Sequence, residues 1–312
     1  SEMNITHRDG DSPESQFRGR ARLAWEEVGP VSWELDAVAL PLSFTALARS
    51  FPEVPIRGDH TGRIRSEGSS ELMTLAAELE GDGGRFETDL RVDMTAPRYE
   101  LTGRTSLFGV DPRRMFERER LPTGEINGRI AMEAVWDSLA DLTGNAQLVL
   151  DRSVVDGARI FAGTAQLTFL DGRAVLDTMT LESSALDLSA TGALGLRAGV
   201  SDSVLVRARA DSLGGLRPWL QRPVGDSLSG SVLLTAVARG WLRDFALDAD
   251  ASAEGVLLAG NSAAALEGNA RLLGLPFATR GTIGVAGEEL RAAGLVLRRA
   301  RLDAERDTAG AT

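Results

Sequence analysis

The sequence predicts a mainly β protein, an elongated antiparallel sheet folded over on itself into a groove, with about three short helices. Apolar and polar residues alternate along many segments, which is the period of a half-buried strand. Turn signals that contain glycine, such as Asp156-Gly157 and Asp171-Gly172, separate these segments at intervals of about 10 to 13 residues. A membrane-spanning barrel is not expected, because the outward side of these strands is charged.

The stretch from 85 to 94 shows the alternation most clearly. Phe86, Leu90 and Val92 share one side of the predicted strand, and the odd-numbered residues from 85 to 93 are all charged. Such a strand has one dry face and one wet face, as in an antiparallel sheet open to water on one side. The apolar positions that we expect to line the groove are Phe86, Leu90, Val92, Leu101, Leu148, Leu150, Leu188, Val204, Val206, Phe245 and Leu247.

Small residues occupy many of the other inward positions. They include Ala146, Ala190, Ala249, Ala251 and Ala253. Small side chains fill a closed core poorly and leave room for a ligand, so they favour an open groove over a sealed interior.

A unit of helix, proline, paired glycines and strand occurs three times. Its copies begin near residues 40, 107 and 212, and the second glycine of each pair is Gly62, Gly128 or Gly230. The spacing indicates a common unit with different numbers of strands between copies. We expect the three helices to cap the sheet at these junctions, with Trp219 on the apolar side of the third.

The two ends of the chain are polar. We expect residues 1–16 to form a disordered or loop lead-in, residues 17–302 to form the repeated β-groove region, and residues 303–312 to form a polar tail. Both ends have the polar character of truncation points, so we expect this chain to be an internal part of a longer protein.

The composition argues against several kinds of chemistry. A net charge of −11 makes a nucleic acid an unfavourable partner. The chain contains no cysteine, and its two histidines, His7 and His60, stand in polar contexts that predict solvated loops. We therefore expect no enzymatic activity, no catalytic residues, no metal site and no cofactor.

Two segments, 104–136 and 208–240, resemble the AsmA/TamB-like family of bacterial envelope proteins. In each, a strand leads into a short helix and then into a phrase like Leu228-Ser229-Gly230-Ser231 that opens the next strand. The resemblance covers about residues 90 to 300 and rests on a degenerate repeat.

The resemblance implies a β-taco-like groove in the periplasm of a two-membrane bacterium, held to the inner membrane by an N-terminal anchor that we expect to lie outside this sequence. It implies phospholipid acyl chains as ligands and a role in phospholipid transport between membranes or in outer-membrane assembly. It also implies an outer-membrane barrel assembly protein as a partner, and it brings no active site.

Other interpretations remain open from the residues alone. The alternative to a lipid groove is a non-catalytic β-rich structural spacer or adhesin stalk, whose apolar face is closed by its own side chains. An enzyme or a carbohydrate-binding module is the third possibility.

Overall fold

The structure is a computed structural model that describes residues 2–8, 14–25, 29–50, 56–95, 97–116, 121–219, 228–292 and 295–306. It confirms the mainly β class, with 19 strands among these residues. The strands are β1 Glu2–His7, β2 Ser15–Ala24, β3 Ser32–Ser43, β4 Asp59–Ser69, β5 Leu72–Gly81, β6 Gly84–Asp93, β7 Tyr99–Val110, β8 Gly124–Trp136, β9 Thr143–Leu150, β10 Ser153–Val155, β11 Ala158–Leu170, β12 Arg173–Ser183, β13 Asp187–Gly195, β14 Asp202–Ala210, β15 Ser229–Trp241, β16 Asp244–Leu258, β17 Asn261–Leu275, β18 Arg280–Ala292 and β19 Leu295–Arg306.

The helices are short and lie at the predicted junctions. They are α1 Phe44–Ser50, α2 Pro112–Met115 and a 3-10 helix at Leu213–Trp219, and a further 3-10 turn spans Leu139–Asp141. Each of the first three connects two strands that pair directly with each other: β3 with β4, β7 with β8, and β14 with β15. The repeat seen in the sequence is therefore a hairpin whose connection carries a helix.

The chain divides into two compact units. The first comprises Ser1–Ser138 and Leu142–Gly157, and the second comprises Leu139–Asp141 and Ala158–Thr312. In the first unit, each strand from β1 to β9 pairs antiparallel with the next, and β10 pairs with β8. In the second unit, each strand from β11 to β19 pairs antiparallel with the next.

The first two junctions lie side by side at one end of the first unit. The backbone N–H of Arg57 donates to the carbonyl of Met115 at 2.8 Å, and Ile56 forms an isolated bridge with Phe116. Helix α2 begins as its sequence predicts, because the Asp111 side chain accepts from the N–H of Arg113 at 3.0 Å and Pro112 has no N–H that needs an acceptor.

The structure corrects two expectations about elements, the lead-in and the tail. The lead-in at 1–16 contains strand β1, which pairs with β2 in register from Glu2 to His7, and β2 itself begins at Ser15. Strand β19 continues through Arg306, so the polar tail expected from residue 303 does not begin there. The third of the expected short helices is a 3-10 helix, and Trp219 at its end is half-buried.

Candidate functional site: the apolar faces of the two units

One face of the first unit is uncharged across six strands. Residues directly opposite in an antiparallel ladder point to the same side of the sheet, so the registers define rows of side chains. We call the following four rows the apolar face of unit 1: Ile64, Ala77, Thr88, Thr105, Ile130 and Leu148; Gly62, Leu79, Phe86, Leu107, Gly128 and Leu150; Ser66, Leu75, Leu90, Gly103, Met132 and Ala146; Gly68, Met73, Val92, Leu101, Ala134 and Gly144.

The second unit has a matching face across β13 to β17. Its rows, called the apolar face of unit 2, are Leu188, Ala208, Leu234, Ala251 and Gly268; Ala190, Val206, Ala236, Ala249 and Ala270; Gly192, Val204, Ala238, Leu247 and Leu272; and Gly240, Phe245 and Leu275. Alanine and glycine are frequent here, which leaves a shallow layer of side chains on the sheet.

Every residue predicted to line the groove lies on one of these two faces. Phe86, Leu90, Val92, Leu101, Leu148 and Leu150 belong to the apolar face of unit 1. Leu188, Val204, Val206, Phe245 and Leu247 belong to that of unit 2. All of them are half-buried, neither sealed in a core nor fully in water.

The opposite face of the first unit carries exposed ion pairs. Asp36 accepts from Nε and Nη2 of Arg63 at 2.9 and 2.7 Å, and Arg65 lies directly opposite it in the β3–β4 pairing. The hydrogen bond from Arg63 holds the pKa of the Asp36 carboxyl below its usual range. A depression lined by Arg63, Arg65, Glu78, Glu87, Asp89, Arg104 and neighbouring residues lies on this face. Such alternating exposed charges are typical of a solvated sheet surface.

The second unit repeats this arrangement. Asp248 on β16 lies between Arg239 on β15 and Arg271 on β17, and Nε of Arg271 donates to Asp248 at 3.1 Å. The hydrogen bonds from the two arginines, that of Arg271 above all, lower the pKa of Asp248. Asp248 and its two arginines therefore lie on the side of the sheet opposite the apolar face of unit 2, whereas Asp202 at the start of β14 is directly opposite Gly240 in the last row of that face.

At the end of unit 1 where α1 and α2 lie, the apolar face is closed. Ala39, Leu42 and Leu79 form a buried cluster, and Phe44 and Leu47 of α1 pack against it. Phe86 also packs there, so it is the one predicted lining residue of this unit that supports the cap. Helix α1 therefore caps this end of the sheet, as expected for a helix at the first junction.

The loop interpretation of the two histidines is wrong. His7 lies in β1, and His60 lies in β4, where only 1% of its surface is exposed. Neither ring nitrogen of His60 has a hydrogen-bond partner in the described part of the chain. Burial lowers the pKa of the imidazole, opposed by the neighbouring Gly58 backbone and by the Asp59 and Asp82 carboxylates.

The remaining chemistry of the described residues is sparse. Within the described ranges, no group of three or more His, Cys, Asp or Glu side chains is placed to hold a metal ion. Among the same residues, no helix combines the length and apolar character needed to cross a membrane. No protein-family model, curated protein or solved structure matches the chain.

Proposed function

We propose that the chain is a periplasmic lipid-binding segment of an envelope protein, whose apolar faces carry phospholipid acyl chains. In this proposal the whole protein is anchored in the inner membrane of a two-membrane bacterium. It moves phospholipid between membranes or serves outer-membrane assembly, alongside a barrel assembly protein.

The observation that carries the proposal is the continuity of the uncharged rows. In unit 1, each row crosses β4 to β9 without a charged side chain, and its members beyond the capped end are mostly half-buried. An acyl chain needs no specific polar contact and gains free energy from any apolar surface that it covers, at about 25 cal/mol per Å². A continuous half-buried apolar face therefore suits a ligand of that chemistry.

The second candidate function is a structural spacer, and the capped end of unit 1 favours it. There Leu42 and Leu79 are 5% and 3% exposed, as in a closed core. If the rest of the face were sealed in the same way, no lipid would enter. The two functions therefore differ in whether the face beyond the cap admits a ligand.

Photo-crosslinking in cells distinguishes the lipid-binding function from the spacer function. A photoreactive amino acid at Leu90, Leu148 or Leu247 is expected to capture phospholipid. Matched controls are Asp89 and Gln147, each the residue before a test position and exposed on the opposite face. Asp250 is the better control for Leu247, because Asp248 is held by two arginines and its replacement would disturb them. Equal capture on both faces, or none on either, would leave the spacer function.

A further inference from the structure

The apolar face of unit 1 is closed at one end of its strands and open at the other. At the capped end, Val110 and Met115 are each 3% exposed. At the opposite end, Trp25 is 72% exposed and Tyr99 is 37% exposed. The same face thus passes from core-like burial to exposed aromatic side chains along the length of the strands.

The registers place these exposed side chains on the apolar face. Leu23 is opposite Trp33, which is opposite Gly68 in the row that continues through Met73 and Val92. In the next row of the same face, two residues beyond Leu101, Tyr99 is opposite Trp136, and their ring centroids are 6.1 Å apart. We call the following residues the open rim: Leu23, Trp25, Val31, Trp33, Met94, Tyr99 and Trp136.

The composition of the open rim is amphipathic rather than simply apolar. It holds three of the five tryptophans and the single tyrosine of the chain. Trp33 keeps its indole in place by donating from Nε1 to Oγ of Ser66 at 2.9 Å. Tryptophan and tyrosine combine an apolar ring with a polar group, so they favour the level at which lipid headgroups meet acyl chains.

The turns at the open rim are acidic. Residues 67–72 and 93–100 contain four acidic side chains, Glu67, Glu71, Asp93 and Glu100, and one basic side chain, Arg98. Asp93 and Glu100 are directly opposite each other in the outermost row of the β6–β7 pairing, on the charged face and one residue along the chain from Met94 and Tyr99. The same charges would repel the rim of a second copy of the chain.

We propose that the open rim binds the headgroup region of a phospholipid whose headgroup carries a cationic nitrogen, while its acyl chains lie along the apolar face of unit 1 toward the capped end. The aromatic rings lie at the glycerol level, where their faces attract the ammonium group, and the acidic turns add negative charge at this end of the unit. This inference rests on the proposed function and adds an orientation and a headgroup class to it.

Spin labelling tests the orientation. The chain has no cysteine, so Leu90→Cys, Met94→Cys and Arg91→Cys each give a single nitroxide on or just beyond strand β6. The labelled proteins are mixed with phosphatidylcholine vesicles, and the accessibility of each label to oxygen and to a water-soluble nickel chelate is measured. We expect an acyl-chain environment at Leu90, a headgroup-level environment at Met94 and water at Arg91, which lies on the charged face.

The alternatives give different results. An acyl environment at Leu90 with water at Met94 would overturn the rim proposal and leave the proposed function standing. Water at both positions would refute the proposed function and the rim proposal together. A label at Met94 that loses access to both reagents without lipid, as protein concentration rises, would show that a second copy covers the rim and would also overturn the proposal.

Two further comparisons test the chemistry of the rim. Trp25→Ala is expected to weaken the binding of phosphatidylcholine vesicles roughly fivefold, the effect of losing one interfacial aromatic ring. Phe277→Ala removes another exposed ring, 81% exposed and outside the rim, and is expected to leave binding unchanged. Vesicles of phosphatidylglycerol, which lacks a cationic nitrogen, should bind more weakly than those of phosphatidylcholine. Equal losses in both variants, or equal binding of both lipids, would contradict the proposal.

Discussion

The ring of His60 packs edge-on against that of Phe44, with the ring centroids 5.2 Å apart and the ring planes at 83°. Phe44 is the first residue of α1, and the ring of Phe86 lies on another side of the imidazole at 5.9 Å. The histidine is therefore enclosed between a strand and the helix that caps it. A charged imidazolium in this position would lack the hydration that it has in the unfolded chain.

This burial predicts a pH-dependent stability of the cap. The pKa of His60 is lowered from 6.5 by burial, so the unfolded state binds more protons than the folded state as pH falls below that value. The stabilising effect of neutral His60 is therefore fully present above pH 6.5 and decreases as the pH falls through the lowered folded pKa. Denaturant midpoints measured from about pH 7.5 to about pH 5.5 should fall, in a window above most carboxylate titrations.

Two variants test whether His60 causes this pH dependence of stability. His60→Leu should flatten the fall in midpoint over this window, because leucine does not titrate. His7→Leu changes an exposed histidine of β1 and should leave the fall unchanged. If the denaturant midpoint of His60→Leu still falls over this pH window, other titrating groups cause the fall.

The close approach of the neighbouring strand at Gly62 predicts that adding a side chain there strongly destabilises the folded protein. This residue has φ of 145°, and a Cβ built on it would lie 1.9 Å from the carbonyl oxygen of Glu78. Gly62→Ala must therefore move a neighbouring strand, and we expect about 3 kcal/mol or more of destabilisation. Thermal or chemical unfolding would measure it.

Gly268→Ala is the matched control for this prediction. Gly268 also lies within a strand, but a Cβ there would meet nothing closer than 3.8 Å. Its replacement should change stability by no more than about 0.5 kcal/mol. Similar losses at Gly62 and Gly268 would show that the close contact with Glu78 is not the cause, because replacing glycine by alanine lowers the entropy of the unfolded chain and does not by itself destabilise.

The faces of the sheet could be predicted from the sequence, whereas what covers them could not. Alternation of period two assigns Leu90 and Asp89 to opposite sides without knowledge of pairing, because the pleat enforces it. The burial of His60 was missed because its neighbours, Gly58 and Asp59, are polar, and the rings that enclose it come from α1 and β6. Strand β1 was missed because it has few apolar residues, Met3 and Ile5, and gains its order from pairing with β2.

The open rim also could not be predicted from local sequence patterns. Tyr99 and Trp136 are distant in the sequence and meet only through the β7–β8 register. Alternation of period two puts Trp25 with Leu23 and Trp33 with Leu35 on the apolar sides of their strands, but it gives no measure of how far each ring is exposed. Cross-strand register decides that the aromatic residues gather at one end of the unit.

A charge placed on the apolar face distinguishes an open groove from a sealed core. Leu148 is half-buried on β9, beside Ile130, which is 40% exposed. In an open groove the long side chain of Leu148→Arg can carry its guanidinium to water, so the protein should fold with a loss of less than about 1.5 kcal/mol. The arginine would still place a charge on the path of the acyl chain, so less phospholipid should copurify with the variant.

Leu79→Arg provides the comparison within the same unit. Leu79 is 3% exposed in the capped cluster, so its replacement would bury an unpaired charge and should cost more than about 3 kcal/mol. Denaturation curves and the phospholipid content of both purified variants test the pair. If Leu148→Arg unfolds the protein as Leu79→Arg does, the whole face is a sealed core. The spacer function would then account for the molecule, because a sealed face has no surface left for an acyl chain.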